Sequence, residues 1–519
     1  YLRGTAADQV LVLIDGVKVG SATAGTTAWQ DLPIDQIERI EVVRGPRSSL
    51  YGSEAIGGVI QIFTRKGGGA LKPSLSLGGG SYGSANASAN VSGGGAQGWW
   101  HLGGSYEDTQ GFNACNGTPL GAGCFTFEPD SDGYRNVSGS ARGGYRFGAG
   151  GEVDLFWLGG KAHSLFDGDF VNDTKTSQQA AGARARYRPL DALELSLSLG
   201  QSRDASDNRL DGDFVSRFDT IRNTASVQSD LSLGAGRILT LGVDWQNDRI
   251  DSTEDYTEDS RDNVGVFGQA QGSLGRHDLS ASLRQDDNQQ FGSHATGSAA
   301  WGYALAGGMR LLASYGTAFK APTFNDLYFP QYGNPDLVPE QSRSGELGVS
   351  GGFRDLRWSV NAYQTQIDDL IVLGPAFIPE NIDQARILGL ELALNGRVGE
   401  WVLNANLTLL DPVNETSGPN DGNLLPRRAE QSARLDLDRR IGPWGVGLSL
   451  IGVGRRFDDA ANTRSLDPYV TLDLRADYAF AKAWRIQGRL ENLFDADYET
   501  AAYYNQPGTG IYLTLRYEP

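Results

Sequence analysis

From about residue 71 onward, hydrophobic and polar residues alternate with period two, segment after segment. LELSLSL (193–199) puts Leu193, Leu195, Leu197 and Leu199 on one edge, with Glu194, Ser196 and Ser198 on the other. VTLDLRADYAF (470–480) sets Val470, Leu472, Leu474, Ala476, Tyr478 and Phe480 against Thr471, Asp473, Arg475 and Asp477. The arrangement recurs in ILTLGVDW (238–245), HDLSASLRQD (277–286), MRLLASYGTAF (309–319), GLELALNG (389–396), WVLNANLTL (401–409) and GVGLSL (445–450). Successive side chains of a strand point to opposite faces, so this alternation predicts strands whose two faces meet different surroundings. Residues 1–67 have another texture. VLVLIDGVKV (10–19) and GGVIQIFTRKGG (57–68) are near-continuous apolar runs rich in β-branched residues, as strands buried on both faces require. IERIEVVRG (37–45) lies between them, and LPIDQIERI (32–40) is a short helical candidate. The chain therefore divides into a small α+β unit over 1–70 and a long all-β unit over 71–519.

The polar face decides the architecture of the long unit. It carries Arg, Asp, Glu and Asn, not merely Ser and Thr, and no helical layer completes a series of sandwiches. An apolar exterior in lipid around a wet, charged lumen fits this pattern directly. No run of about 18 apolar residues occurs, which excludes helical membrane spans but not a barrel. Trp99, Trp100, Trp157, Trp245, Trp301, Trp358, Trp401, Trp444 and Trp484 sit near segment ends, and as a set they suit interfacial girdles. At roughly 20 residues per strand with its share of turns, the unit makes about 22 antiparallel strands, the size of plugged transporters. Short turns alternate with long polar stretches at 107–134, 163–178, 203–220, 247–262 and 411–425, the asymmetry of an outer-membrane barrel.

Glycine is 70 of 519 residues without a collagen period, as many hairpins require. Cys115 and Cys124 lie in GFNACNGTPLGAGCF (111–125) with no His or third Cys nearby. A loop disulfide is the favoured reading over a metal pair, and it suits an oxidising compartment. Net charge is −18, and residues 1–70 contribute none of it, with seven basic and seven acidic residues. DWQNDRIDSTEDYTEDSRD (244–262) holds eight acids against two arginines, either a solvated acidic loop or a cation-attracting one. Nucleic acid is not an expected partner of such a chain.

Three segments carry a family likeness. RGTAADQVLVLIDGV (3–17) with IERIEVVRGPRSSLYGSEAIGGVIQIFTRKG (37–67) resembles the second half of a TonB-dependent receptor plug. YGTAFKAPTFNDLYFPQYGNPDLVPEQSRSGELGV (315–349) resembles a mid-barrel segment of that family, and ENLFDADYETAAYYNQPGTGIYLTLRYEP (491–519) its last two strands. GVDWQ (242–246), DDNQQFG (286–292) and LLPRRAEQ (424–431) bring it nearest to the family's cobalamin (vitamin B12) receptors. The resemblance implies a bacterial outer-membrane barrel with a plug in its lumen. It implies active uptake of cobalamin or another corrinoid, energised by TonB, with a ferric siderophore or heme receptor of the same fold as the alternative. A complete plug would be about twice as long and begin with a TonB-binding box, so the chain reads as N-terminally incomplete. Outer-membrane lipids, lipopolysaccharide and a surface lipoprotein are the further partners expected.

The same resemblance suggests site residues. The apical plug loops fall at Gly4–Asp8, where Ala6 replaces a commonly polar side chain, and at Val19–Trp29, with Thr23, Ala24, Gly25 and Thr26 as ligand contacts. The bland alternative is a flexible loop. Glu128, Asp130 and Asp132 present carboxylates at alternate positions before Gly133, which suits calcium or else a solvated turn. Asp207, Asp213 and Asp219 in a neighbouring acidic stretch, and Asn113 beside Cys115, are further candidate ligands. Arg44 and Arg47 in VVRGPRSS are placed to lock the plug to barrel acids, for which Glu346 and Glu391 are the candidates. His101, His163, His277 and His294 are scattered, and no nucleophile elbow, paired metal-binding helix motif or phosphate loop occurs, so enzyme activity is not expected. A passive porin would lack the folded unit at 1–67. A soluble β-protein would bury the leucine stripes between sheets.

Overall fold

The computed structural model describes residues 1–117, 124, 126, 128–148, 150–374 and 376–519, with Asp383 described in its backbone only. Two sheets account for nearly all of it. Strands β1 (Val10–Ile14), β2 (Val17–Val19), β3 (Ile37–Arg44) and β4 (Gly58–Thr64) form a four-stranded sheet in the order β2-β1-β4-β3. β1 and β4 are parallel and central, which is why their runs are apolar on both faces. The one-turn helix α1 (Ser48–Tyr51) follows β3. LPIDQIERI does not become a helix. Ile34–Gln36 makes a single 3-10 turn before β3 begins at Ile37, because Pro33 and the following β-branched run favour extension.

From Lys72 the chain winds into a closed barrel of 22 antiparallel strands, sealed where Gly510–Tyr517 pairs with Lys72–Gly80. The leucine edge faces outward: Leu195, Leu197 and Leu199 are 40%, 43% and 50% exposed, and Leu241, Leu279, Leu347 and Val470 share that side. The ionic edge faces inward, where Arg222, Asp248, Arg284 and Asp286 are buried. No helix among the described residues is long and apolar enough to cross a membrane. The strands and their exposed apolar belt do that instead. Connections at one end are short, as at 95–97, 191–192, 275–276, 354–355 and 482–483. The other end carries 110–133, 321–339, 415–430, 454–468 and 492–509, and is therefore the extracellular end.

Several polar stretches are strand and not loop. Leu193–Leu210 and Asp213–Ser232 run continuously to a two-residue turn, Asp211–Gly212, with both residues at positive φ. An 18-residue strand such as Leu193–Leu210 is about 60 Å long at about 3.3 Å per residue, well beyond a hydrocarbon core of about 30 Å even when tilted. Charged residues on its outer face beyond the belt meet water and headgroups, not hydrocarbon.

The small sheet sits inside the barrel. Val12, Ile14, Val17 and Ile62 pack against Phe156, Leu158 and Ala180 of the barrel wall. Ile56 packs on Tyr363, Ile367, Ala385 and Ile387 at another sector of the wall. Ala22 packs on Ile250 and Phe324 at a third, so the lumen is occupied by a folded plug held by apolar contacts.

Candidate functional site: the plug apex and its anchors

Loop 20–28 caps the plug at the extracellular end. It closes on itself through Ser21 N–H to the Thr26 carbonyl (3.0 Å) and Gly25 N–H to the Ser21 carbonyl (2.8 Å). Gly25 has φ of +71°, and a Cβ there would lie 2.8 Å from Thr323 Cγ2, so the turn needs glycine twice over. A second helix, α2 (Phe324–Tyr328), braces the loop: the amides of Phe324 and Asn325 donate to the carbonyls of Ala22 and Thr23. Thr323 caps α2, accepting from Asp326 N–H. Of the expected contacts, Thr23 is 4% exposed with its hydroxyl hydrogen-bonded to that of Ser21, whereas Ala24 and Thr26 are exposed at the corner. Ala6 is half-buried, its amide donating to Gln9 Oε1 at 2.8 Å.

Among the described residues, four charged plug residues make close ion pairs with the barrel wall. Arg3 donates to Glu346 (3.1 and 3.0 Å) and to Glu391 (3.2 and 2.9 Å), with its guanidinium 4.3 Å over the Tyr363 ring. Asp8 pairs with Lys320 at 2.8 Å, and Lys320 also reaches Glu340. Asp15 accepts from Arg142 at 2.7 Å, and Glu54 takes two hydrogen bonds from Arg222. Glu346 and Glu391 thus meet Arg3 closely, and of the two arginines expected at the lock Arg44 makes a longer pair with Glu391. Arg44 lies 3.7 Å from Glu391 with half its side chain exposed, and among the described residues Arg47 forms no ion pair. Arg3 precedes the first strand in a short polar segment, where sequence pattern assigns it no role. The one signal for it is a lone cation in the short segment that leads into a buried strand.

The proposed metal ligands separate into two groups. Asp207 and Asp219 share the strand parity of Leu199 and Val227, so they lie on the outer face, where they accept from Arg217 and Arg203. Asp213 is exposed at the hairpin tip. These three are not brought to the loop bearing Glu128, Asp130 and Asp132. Asp132 accepts from Ala114 N–H at 2.7 Å, Glu128 accepts from Gly168 N–H at 3.4 Å, and Asp130 is exposed. Asn113 turns its side-chain oxygen to Cys115 N–H, 2.9 Å away. A residue absent from the expected set stands beside them. Asp167 has both carboxylate oxygens buried without a hydrogen-bond partner. Burial first, and then the charges of Asp132, Glu128 and Asp130, push its carboxyl up to about 6. Among the described residues no three such groups converge closely enough to hold a metal ion. Cys115 and Cys124 are joined, Cα to Cα 5.8 Å, and that loop is zipped to residues 503–505 by Asn116 N–H to the Tyr503 carbonyl and Asn505 N–H to the Ala114 carbonyl.

A closed, lipid-facing barrel with a folded plug, ionic anchors and an exposed apical loop defines a gated outer-membrane receptor. The comparisons agree: residues 109–493 match the model "TonB dependent receptor-like, beta-barrel" and residues 1–59 match "TonB-dependent Receptor Plug Domain". The chain belongs to the TonB-dependent receptors of the bacterial outer membrane, a family of transporters and receptors. It is 34% identical over 531 residues to the vitamin B12 transporter BtuB of Photobacterium profundum, spanning 100% of this chain and 86% of that protein. It is 31% identical over 559 residues to the BtuB of Vibrio vulnificus, spanning 100% and 85%. Among solved structures it resembles in fold a mutant of the ferric enterobactin receptor PfeA of Pseudomonas aeruginosa, with TM-score 0.87, 20% identity, and 100% and 91% of the two chains covered. The siderophore receptor PirA of Acinetobacter baumannii is similar to the same degree, with TM-score 0.86, 19% identity, and 100% and 91% covered.

Proposed function

We propose that this receptor takes up cobalamin or a related corrinoid, seating it on the plug apex at Ala24 and Thr26 and drawing on TonB for the energy of release. The observation that carries this reading is similarity to two vitamin B12 transporters along the entire chain, plug and barrel together. The corner is built of the small residues Ala24, Gly25 and Thr26, with Ala24 and Thr26 exposed, which lets a large ligand fringed with amides approach closely. We read Glu128, Asp130, Asp132 and Asp167 as a loop group that gathers around calcium when the ligand loops order. The support is the Asp167 carboxylate, buried without a donor among other acids, an arrangement that a divalent cation relieves. The test is titration of the detergent-solubilised receptor with cyanocobalamin, a ferric catecholate siderophore and heme. Saturable submicromolar binding of cyanocobalamin, weakened by EDTA and restored by calcium, is expected. Saturable binding of the siderophore or heme with none of cobalamin overturns the assignment.

A further inference from the structure

A cavity of about 230 Å³ lies between the turn joining β1 to β2 and the barrel wall, bounded on the plug side by Asp15, Gly16 and Lys18. Three carboxylates line it, and each is committed: Asp15 and Asp154 to Arg142, Asp244 to Arg284. Two lining cations are not. Lys18 Nζ donates to the neutral Gln246 Oε1 at 3.0 Å, and Arg184 Nε donates to Ser198 Oγ at 3.3 Å. Among the described residues neither meets a carboxylate within ion-pair distance. Both line the same cavity. A Cβ on Gly16, which has φ of +93°, would collide with Arg184 Nη2, so the Arg184 guanidinium rests directly on the turn that presents Lys18.

Cations without an ion-pair partner inside a lumen are costly unless something compensates them, and a cleft lined by six cationic and three acidic side chains has the positive excess that concentrates an anion. We propose that this cavity is an oxyanion-binding site, with Lys18 and Arg184 as its two uncommitted cations. The guanidinium fork suits a tetrahedral oxyanion better than a halide. Ser198, having accepted from Arg184, keeps its hydroxyl proton to donate. An anion held there adds a tie between the plug turn and the wall beside those that Asp15–Arg142 and Lys18–Gln246 already make.

The site is tested with sulfate, and with selenate for crystallography. For the detergent-solubilised full chain, sulfate exchanged for chloride at constant ionic strength is expected to give a saturable upward shift in Tm, since an anion bound only to the folded state stabilises it by mass action. Arg184→Gln and Lys18→Met are each expected to lose that shift. Selenate-soaked crystals of the unaltered protein are expected to show anomalous density between the two side chains, a readout independent of whether either variant folds. No difference between sulfate and chloride, an equal shift in both variants, or selenate absent from the cavity each overturns the proposal.

Discussion

Arg3 and Glu391 are joined by two hydrogen bonds, 3.2 Å from Nε and 2.9 Å from Nη2 to the same carboxylate oxygen, across 388 residues of chain. Glu346 takes another edge of the same guanidinium. Removing one partner from a buried charge cluster leaves the others uncompensated, which costs on the order of 3–5 kcal/mol. Arg3→Ala is therefore expected to loosen the plug, seen as faster amide exchange over residues 1–64 with the barrel strands unaffected. Arg44→Ala is expected to change exchange little, since a half-exposed pair at 3.7 Å is worth at most about 1 kcal/mol. Equal effects in the two variants contradict the assignment of Arg3 as the anchor.

The outer-face pairs lead to an opposite expectation. Arg203–Asp219 and Arg217–Asp207 have their guanidiniums substantially exposed beyond the belt. Asp207→Ala and Asp219→Ala are expected to alter stability by no more than about 1 kcal/mol and to leave any calcium dependence of ligand binding intact. Asp132→Ala is expected to reduce that dependence. Loss of calcium response on removing Asp219 contradicts this division of the acids.

A pH effect follows from Asp167, whose folded-state carboxyl is raised to about 6 by burial and then by neighbouring acids. The folded loop binds that proton more tightly than the unfolded chain, whose carboxyl titrates near about 4. Its contribution to loop order is therefore fully present below about 4 and lost as pH rises through about 6. Protection factors for residues 163–172 without calcium are expected to fall across that window. Asp167→Asn is expected to remove the trend, and an unchanged trend in that variant contradicts the assignment.

At the apex, Gly25→Ala places a Cβ 2.8 Å from Thr323 Cγ2 and 3.1 Å from Asp8 Cβ at a positive φ. Strain on the order of 1–3 kcal/mol is expected to distort the corner bearing Ala24 and Thr26. The expected loss in cyanocobalamin affinity is about tenfold or more, read by calorimetric titration, with Tm of the barrel nearly unchanged. Undiminished affinity removes this loop from the binding surface.

The barrel was legible because its signal is repetitive: Leu195, Leu197 and Leu199 each reinforce the same outward edge. The site was less so. Asp207 and Asp219 looked like loop acids because charge beyond the hydrocarbon belt has loop composition, yet their parity with Leu199 and Val227 places them on strands. Asp167 and Arg3 are illegible for a different reason. Their roles come from neighbours far along the chain, as Glu391 is for Arg3, and local pattern carries no trace of such contacts.

The most direct measurement is collision accessibility of single spin labels at Leu197 and Ser198 in reconstituted membranes. Adjacent on one strand, they are expected to differ completely: position 197 relaxed by dissolved oxygen and shielded from a water-soluble nickel complex, position 198 shielded from oxygen in the occupied lumen. Equal access of the nickel complex to position 197, or oxygen relaxation at both, contradicts a barrel that turns its leucines to lipid and its charges toward a plug.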